Sequence, residues 1–161
     1  GAGLQWPCPT KDHKGTKFLH EGTFSRGKGL FKPADYIASV ECADKDYPYI
    51  MTTGRMLYHY HTRTMTKRVE GIDELYPESY VEISPVMASR LGIEEGDKVK
   101  VSSRRGSIDV KAMVRDTVAE DVVFIPFHFY EGAANYLTNS VVDPVAKIPE
   151  FKVTAVSVAK A

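Results

Sequence analysis

The sequence predicts a mainly β domain with one or two short helices, which is the pattern of a small barrel. Segments in which apolar and polar residues alternate recur between residues 80 and 114, as in half-buried strands. A fully apolar segment at 122–127 is typical of a buried strand. Turn residues separate these segments at short intervals, and this favours many short strands over a few long helices.

Residues 1–35 are predicted to form an irregular N-terminal arm that leads into the domain. They are rich in Gly, Pro, Thr and Lys and have no clear periodicity. Their large apolar side chains require burial, which favours an ordered arm. These side chains are Leu4, Trp6, Phe18 and Leu19. We expect residues 36–161 to form one globular unit.

Seven segments of the domain are candidate strands. The second of them is apolar and ends at Gly54, which is a strand-to-loop signal. Arg105-Gly106 separates the fourth from the fifth, and the alternation on both sides of this turn predicts a hairpin. The candidates are 36–43, 47–53, 80–84, 98–103, 107–114, 122–127 and 153–158.

A short helix is predicted at residues 86–92. Ser84 is a favourable N-cap, and Pro85 suits the first helical position because it has no N–H to satisfy. Gly92 suits the left-handed position that ends many helices. A turn is predicted next, at residues 94–97.

The composition excludes several classes of protein. A chain of 161 residues with 43% hydrophobic and 26% charged residues is an ordinary globular domain. No apolar run approaches the 18 residues of a membrane-spanning helix. The 21 Lys and Arg residues balance the 21 Asp and Glu residues, and zero net charge argues against a general nucleic-acid or membrane-surface binder.

The distribution of charge is more informative than its sum. Residues 47–69 contain no Asp or Glu, and their four cations give a local charge of +4. Tyrosines and threonines lie between these cations, a combination suited to an anionic, aromatic ligand. A solvated basic surface accounts for the composition equally well. The cations are Arg55, Arg63, Lys67 and Arg68.

Other polar residues remain open between structural and binding roles. His128 follows an apolar strand, Asn135 is a candidate turn residue or ligand-facing amide, and Lys152 flanks the last strand. The hydrolase, nucleotide-binding and zinc-protease motifs are absent. Cys8 and Cys42 lack a ligand pattern, so we expect inert thiols rather than a metal site, and their spacing does not establish a disulfide.

The segment 47–67, YPYIMTTGRMLYHYHTRTMTK, closely resembles a signature of the C-terminal, molybdopterin-dinucleotide-binding domain of molybdenum or tungsten bis-pterin oxidoreductases. It is most similar to the version in the formate dehydrogenase alpha subunit. Residues 3–20 resemble the segment that leads into this domain, and 81–114 resemble its barrel strands. Residues 135–138 and 149–152 resemble its closing cofactor contacts.

The resemblance implies a six-stranded double-psi β-barrel packed over a pair of pyranopterin guanine dinucleotides that hold Mo or W. Hydroxyl, backbone and guanidinium donors suit a pyrophosphate, and amide and imidazole groups match pterin edges. The positions of the family's contacts fall on Thr53, Gly54, Arg55, His59, His61, Thr62, Arg63, Thr64, Phe127 or its neighbour His128, Asn135 and Lys152.

The resemblance further implies an oxidoreductase subunit in which this chain positions the cofactor for two-electron oxidation of formate to CO2. In this family the metal-ligating Cys or selenocysteine, its partner His and Arg, and the cysteines of a 4Fe–4S cluster lie upstream, and their motifs are absent from this sequence. We therefore expect no catalytic residue and no metal ligand here, and no activity of the chain alone. The implied partners are the upstream domains and electron-transfer subunits, without nucleic-acid or membrane contact.

Two alternatives remain at this point. The same domain occurs in related bis-pterin enzymes such as nitrate reductase, and upstream residues mainly determine their substrate. A stand-alone double-psi barrel would instead be a recognition module, for which the aromatic residues of 47–69 could bind single-stranded nucleic acid. No signal segment is visible at the N-terminus; a cytoplasmic location is expected, or a periplasmic one if a twin-arginine signal precedes the chain.

Overall fold

The computed structural model describes residues 3–24 and 26–161, and the chain divides into two compact units, Gly1–Ile37 and Ala38–Ala161. The second unit contains six strands: β1 (Tyr49–Gly54), β2 (Tyr80–Ile83), β3 (Lys98–Ser103), β4 (Gly106–Val114), β5 (Val122–Pro126) and β6 (Thr154–Lys160). Its α-helices are α1 (Glu70–Leu75) and α2 (Pro85–Leu91), and single 3-10 turns occur at Thr66–Arg68 and Ala134–Tyr136.

The six strands form a closed barrel in the order β1-β5-β2-β4-β3-β6. Two neighbouring pairs are parallel, β1 with β5 and β2 with β4, and the other pairs are antiparallel. Exchanging β1, β2 and β3 for β4, β5 and β6 reproduces the same set of neighbours. The barrel therefore has two topologically equivalent halves, as expected for the double-psi barrel that the sequence resemblance implies.

Alternation along the strands produces the core. In β3, Val99 and Val101 are buried while the lysines beside them are exposed, and β4 has the same period. Met51 of β1 and Val123 and Ile125 of β5 are fully buried. Closure of the sheet places these side chains inside the barrel and leaves no free sheet edge.

The predicted helix and hairpin are confirmed. The Ser84 hydroxyl accepts a hydrogen bond from the Met87 N–H at 3.1 Å, Pro85 begins α2, and Gly92 ends it with a φ of 64°. β3 and β4 pair in register from Lys98 opposite Lys111 to Ser103 opposite Gly106. The sequence reasoning did not find α1, whose N-cap Val69 makes no side-chain capping bond.

The predicted strand at 36–43 is wrong, because no strand forms there. A closed barrel offers no edge to which a seventh strand could add. Side-chain bonds hold the end of this segment instead. The Glu41 carboxylate accepts hydrogen bonds from Arg105 Nη1 at 2.6 Å and from the Ala155 N–H of β6 at 2.7 Å.

The described residues of the first unit contain no helix or named strand, and its apolar side chains are not buried as we expected. Trp6 is 73% exposed, and Leu4, Phe18 and Leu19 are also exposed. So short a segment, rich in Gly and Pro and without helices or paired strands, does not enclose a core. Local bonds order it: the Thr16 N–H donates to the Gln5 carbonyl at 2.9 Å. Residues 1, 2 and 25 of the predicted arm lie outside the described residues.

Neither cysteine forms a disulfide within the described ranges. Cys8 is half-buried and Cys42 is exposed, so the expectation of a buried thiol fails at Cys42. Across these same ranges no helix is both long enough and apolar enough to cross a membrane.

We expect Ile125→Ala to destabilise the barrel by about 2–4 kcal/mol, because it leaves a cavity at a fully buried position of a central strand. Urea unfolding followed by circular dichroism measures this loss. Val145→Ala, at a position that is 89% exposed, is the control and should change stability by less than about 0.5 kcal/mol. Equal effects of the two substitutions would contradict the assignment of the core.

Candidate functional site

The predicted site residues gather at one end of the barrel, where β1 and β5 finish. These parallel strands end side by side, with Gly54 opposite Pro126, and the Phe127 N–H donates to the Gly54 carbonyl at 3.2 Å. β6 begins at the same end because it runs antiparallel to β1. The loop after β1 and the loop after β5 therefore leave the barrel together, an arrangement that often carries binding residues.

Gly54 leaves space for the Phe124 ring of β5 to pack over the end of β1. A Cβ atom at this position would lie 2.6 Å from Cε2 of the Phe124 ring, a separation that side chains do not tolerate. Glycine in a strand interior commonly marks a site of close approach. In this chain Gly54 thus packs against β5 and sets the start of the following loop.

Hydrogen bonds from Lys152 and Thr53 connect the segment before β6 to the end of β1. The Lys152 ammonium donates to the Thr53 carbonyl, and the buried Thr53 hydroxyl donates to the Phe151 carbonyl at 2.9 Å. The Thr53 side chain is therefore engaged within the chain. The Lys152 ammonium places a positive charge at the end of the barrel, at the carbonyl of the residue that precedes Gly54.

Arg63 is buried, with 4% exposure, although a cation in an acid-free segment suggests a solvated residue. Its guanidinium donates to Asp73 Oδ1 at 2.9 Å from Nε and at 2.5 Å from Nη2, and Nη2 also donates to the Pro77 carbonyl at 2.7 Å. Glu131 lies 3.4 Å away, and the guanidinium covers the Phe129 ring at 4.9 Å. These contacts satisfy the charge inside the protein.

His59 is also engaged within the chain. Its Nε2–H donates to the Tyr76 carbonyl at 2.7 Å, and its Nδ1 forms a hydrogen bond with the Thr66 hydroxyl, 2.9 Å away. The ring is buried and meets Phe129 edge-on, with 5.4 Å between centroids. His59 therefore fixes the loop after β1 against the turn that follows α1.

His128 fastens the same loop to β5. Its Nε2 accepts the Met56 N–H at 3.0 Å, and its Nδ1–H donates to the His61 carbonyl, which determines the tautomer. Burial is the largest cause that lowers the pKa of His128, and the positive charge of Arg55 adds to it. Both ring nitrogens are thus occupied, and the ring stays neutral near pH 7.

The remaining predicted residues of the loop face outward. His61 and Arg63 both have positive φ, 49° and 63°, and this double reversal exposes the side chains around them. The Thr62 and Thr64 hydroxyls are exposed and lie 3.0 Å apart. The exposed Arg55 guanidinium lies 5.8 Å from the centroid of the Phe127 ring.

Asn135 lies at the same end of the barrel but in a different loop. β4 begins at this end, because it is parallel to β2 and β2 is antiparallel to β5. The loop that contains Asn135 lies beside the start of β4. A Cβ atom at Gly106, the first residue of β4, would lie 3.8 Å from the carbonyl oxygen of Tyr136, the residue after Asn135. The Asn135 side chain is exposed, and the Asn135 backbone carbonyl accepts a hydrogen bond from the Thr138 hydroxyl at 3.0 Å.

Sequence reasoning missed the carboxylates that neutralise part of the basic segment. Asp73 and Glu131 bind Arg63, and Glu131 also lies 3.2 Å from Lys67. The acidic residues that follow residue 69 in the sequence offset the charge of the basic segment, but their order in the sequence does not show which of them pairs with Arg63. In the described part of the chain, Arg55 and Arg68 have no carboxylate within 4 Å.

No cluster of three or more His, Cys, Asp or Glu residues in the described ranges has the arrangement of a metal site. The exposed groups at the barrel end are instead donors and cations around an aromatic ring. Such a set suits an anionic ligand with a polar heterocycle, since guanidinium and hydroxyl groups bind phosphate and imidazole and amide groups pair with ring edges.

Comparison with known proteins agrees with this arrangement. The sequence model of a family described as "Molydopterin dinucleotide binding domain" matches residues 49–155. The F420-dependent formate dehydrogenase subunit alpha of Methanocaldococcus jannaschii is 48% identical over 158 residues, which are 97% of this chain and 24% of that protein. The Assimilatory nitrate reductase catalytic subunit of Bacillus subtilis is 35% identical over 161 residues, 97% of this chain and 23% of that protein.

The chain spans about a quarter of the length of the curated relatives it matches. Among solved structures, the Acetylene Hydratase from Pelobacter acetylenicus aligns with a TM-score of 0.64 at 15% identity. That alignment covers 73% of this chain and 19% of the hydratase. At this identity the likeness shows a shared fold.

We expect Arg63→Met to destabilise the domain by about 2–3 kcal/mol. This is less than the cost of breaking a fully buried pair, since Asp73 and Glu131 remain partly exposed. Arg68→Met is the matched control, because Arg68 belongs to the same segment but is exposed, and it should have little effect. Chemical unfolding measures both, and an equal loss of stability would show that Arg63 does not anchor the loop.

His128 should make the domain less stable as the pH falls. Its pKa in the folded state lies below the unfolded value of about 6.5, so the unfolded chain takes up a proton first, and stability present near pH 7 is lost towards pH 5. The free energy of unfolding should therefore depend less on pH in His128→Asn than in the native chain. Parallel pH profiles of the two proteins would refute this role.

Proposed function

This chain belongs to the molybdopterin dinucleotide-binding domain family, and we propose that it forms one wall of the cofactor site in a formate dehydrogenase alpha subunit. The observation that carries the proposal is the grouping of exposed donors at the end of β1 and β5. Arg55, His61 and the Thr62 and Thr64 hydroxyls lie there, beside the Phe127 ring.

These residues fit the chemistry of a pterin dinucleotide. Arg55 has no carboxylate partner in the described ranges, so its guanidinium is free to bind a pyrophosphate through two parallel hydrogen bonds. The Thr62 and Thr64 hydroxyls add neutral donors at the same edge. The exposed imidazole of His61 and the amide of Asn135 match the polar edge of a pterin.

The buried residues of the site have a different task. His59, Arg63 and His128 direct their polar atoms into the chain, so they hold the loop that carries Arg55 and His61. Pre-ordering a loop reduces the entropy lost when a ligand binds. We therefore assign ligand contact to the exposed residues and loop positioning to the buried ones.

In the reaction we propose, formate loses two electrons and one proton to give CO2, and the pterin-bound metal would supply this two-electron chemistry. The residues of this chain bind the pterin dinucleotide, orient it through hydrogen bonds and cover one of its faces. Such outer hydrogen bonds tune a bound metal without touching it. We propose the bis-guanine-dinucleotide form with Mo or W, and a 4Fe–4S cluster in another part of the subunit.

Formate is favoured over nitrate by the degree of similarity. The alpha subunits of F420-dependent formate dehydrogenases from Methanocaldococcus jannaschii and Methanococcus maripaludis are 46–48% identical to this chain, against 35% for the nitrate reductase above. The other domains of the same subunit and an electron-transfer subunit are the partners that we propose.

Arg55→Ala in the full alpha subunit should lower the cofactor content several-fold, because one charge-assisted contact to the dinucleotide is lost. Metal analysis and pterin fluorescence of the purified protein measure the content per polypeptide. Arg55→Lys, which keeps the charge without the forked geometry, should retain an intermediate amount.

Arg68→Ala is the matched control for this experiment. It removes an exposed cation from the same acid-free segment, away from the end of β1, and should leave the cofactor content unchanged. Normal metal and pterin content in Arg55→Ala would remove Arg55 from the binding site. Similar losses in both variants would indicate a general effect of charge.

A further inference from the structure

A recess lies on the outer wall of the barrel and extends to the loop after β1. It is an open groove of about 570 Å³ across the outward faces of β1, β5 and β2. Thr52, Phe124 and Glu82 form a row along its floor, since Phe124 pairs with Thr52 on one side and with Glu82 on the other. The loop after β1 and residues 117–119 form its walls.

Glu82 is the unusual residue of this floor. It is half-buried, and its carboxylate has no hydrogen bond or ion pair with any described residue. Burial raises the pKa of Glu82, and the charge of Arg115 offsets this only partly. Arg115 is itself bound to the Glu95 carboxylate at 3.3 Å and to the Val114 carbonyl at 2.7 Å. The Glu82 carboxylate is therefore free to accept hydrogen bonds from a donor outside the chain, which would replace the water at this half-buried position.

Tyrosine rings line the groove beside this carboxylate. Tyr58 and Tyr76 stack with centroids 5.4 Å apart, and Tyr76 and Tyr80 lie 6.1 Å apart. Burial and the charge of Glu82 raise the pKa of Tyr80 to about 12, so its phenol remains neutral. The Tyr58 ring is 41% exposed, which leaves a face open to a cation.

The single carboxylate and the aromatic rings of the groove determine which cation it could bind. One carboxylate does not supply the several oxygen ligands that a hard metal ion needs. A guanidinium is planar, binds a carboxylate through two hydrogen bonds and stacks on aromatic rings, whereas an ammonium binds as a compact, strongly hydrated charge. The Arg55 guanidinium also lines the groove and lies 5.8 Å from the Phe127 ring centroid. Because like charges repel, a cation from outside would bind at Glu82 and away from Arg55.

We propose that this groove is a docking site for an arginine side chain of a partner polypeptide, with Glu82 as its acceptor and the tyrosines as its stacking wall. The negative carboxylate supplies the charge complementarity, and the groove leaves room for the aliphatic stem of the arginine. Arg55 lines the same groove, but the acceptor of this site is Glu82 of β2, so the proposal does not depend on the cofactor assignment of Arg55.

The test uses the isotope-labelled 161-residue chain and two probes of nearly equal shape, N-acetyl-arginine methylamide and its uncharged citrulline analogue. The arginine probe should shift the amide signals of residues 57–58, 80–82 and 117–119 in a saturable way. The citrulline probe should bind about tenfold more weakly or less, since it lacks the charge-assisted pair.

Three variants make the result specific. Glu82→Gln should remove the preference for arginine over citrulline, and Tyr58→Ala should weaken both probes by removing the stacking surface. Glu74→Gln, at an exposed glutamate of α1, should bind like the native chain. The amide spectrum of each variant shows whether the barrel remains folded.

Several results would overturn the proposal. Equal binding of arginine and citrulline, or an unchanged preference in Glu82→Gln, would show that the carboxylate accepts no guanidinium. A stronger response of the same amides to GMP would assign the groove to a nucleotide. Failure of this test would leave the cofactor proposal intact, because Arg55→Ala is read out by metal and pterin content.

Discussion

The parallel pairing of β1 with β5 is the constraint on which the rest of the site depends. At the end of β1 the Phe124 ring of β5 packs over Gly54, where an added Cβ atom would lie 2.6 Å from the ring. Because parallel strands end at the same edge, the loops that follow them emerge together. His128 can then bond the loop after β1 at two points, and Lys152 can latch the antiparallel β6 to the same edge. A different pairing would separate these residues.

The cations of the site have two different roles: one stabilises the fold, and another remains available to a ligand. The cation that the sequence places in the middle of the basic segment, Arg63, is buried and neutralised by Asp73 and Glu131. Arg55 remains at the barrel end without a carboxylate in the described ranges. The loop thus keeps its shape through bonds within the chain, and this leaves its outward donors available. In this way a chain of zero net charge still presents a local positive edge.

The barrel has two surfaces with different chemistry. Its end offers cations and hydroxyls, which suit an anionic dinucleotide, while its outer wall offers Glu82 among tyrosines, which suits a cation. The loop after β1 contributes to both, through Arg55 and Tyr58. The chain spans about a quarter of the length of its relatives, and the two surfaces correspond to the two kinds of contact that we propose for it.

Local patterns in the sequence determined much of this protein. Alternation predicted the strands, the Ser84-Pro85 and Gly92 signals bounded α2, and the segment 47–67 indicated the family. These features depend on near neighbours in the chain. The tertiary structure alone decided the strand order, the absence of a strand at 36–43 and the exposure of Trp6. It also decided which polar residues bond within the chain and which face outward, because partners such as Glu131 and His128 are distant in sequence and become neighbours of the basic loop only in the folded barrel.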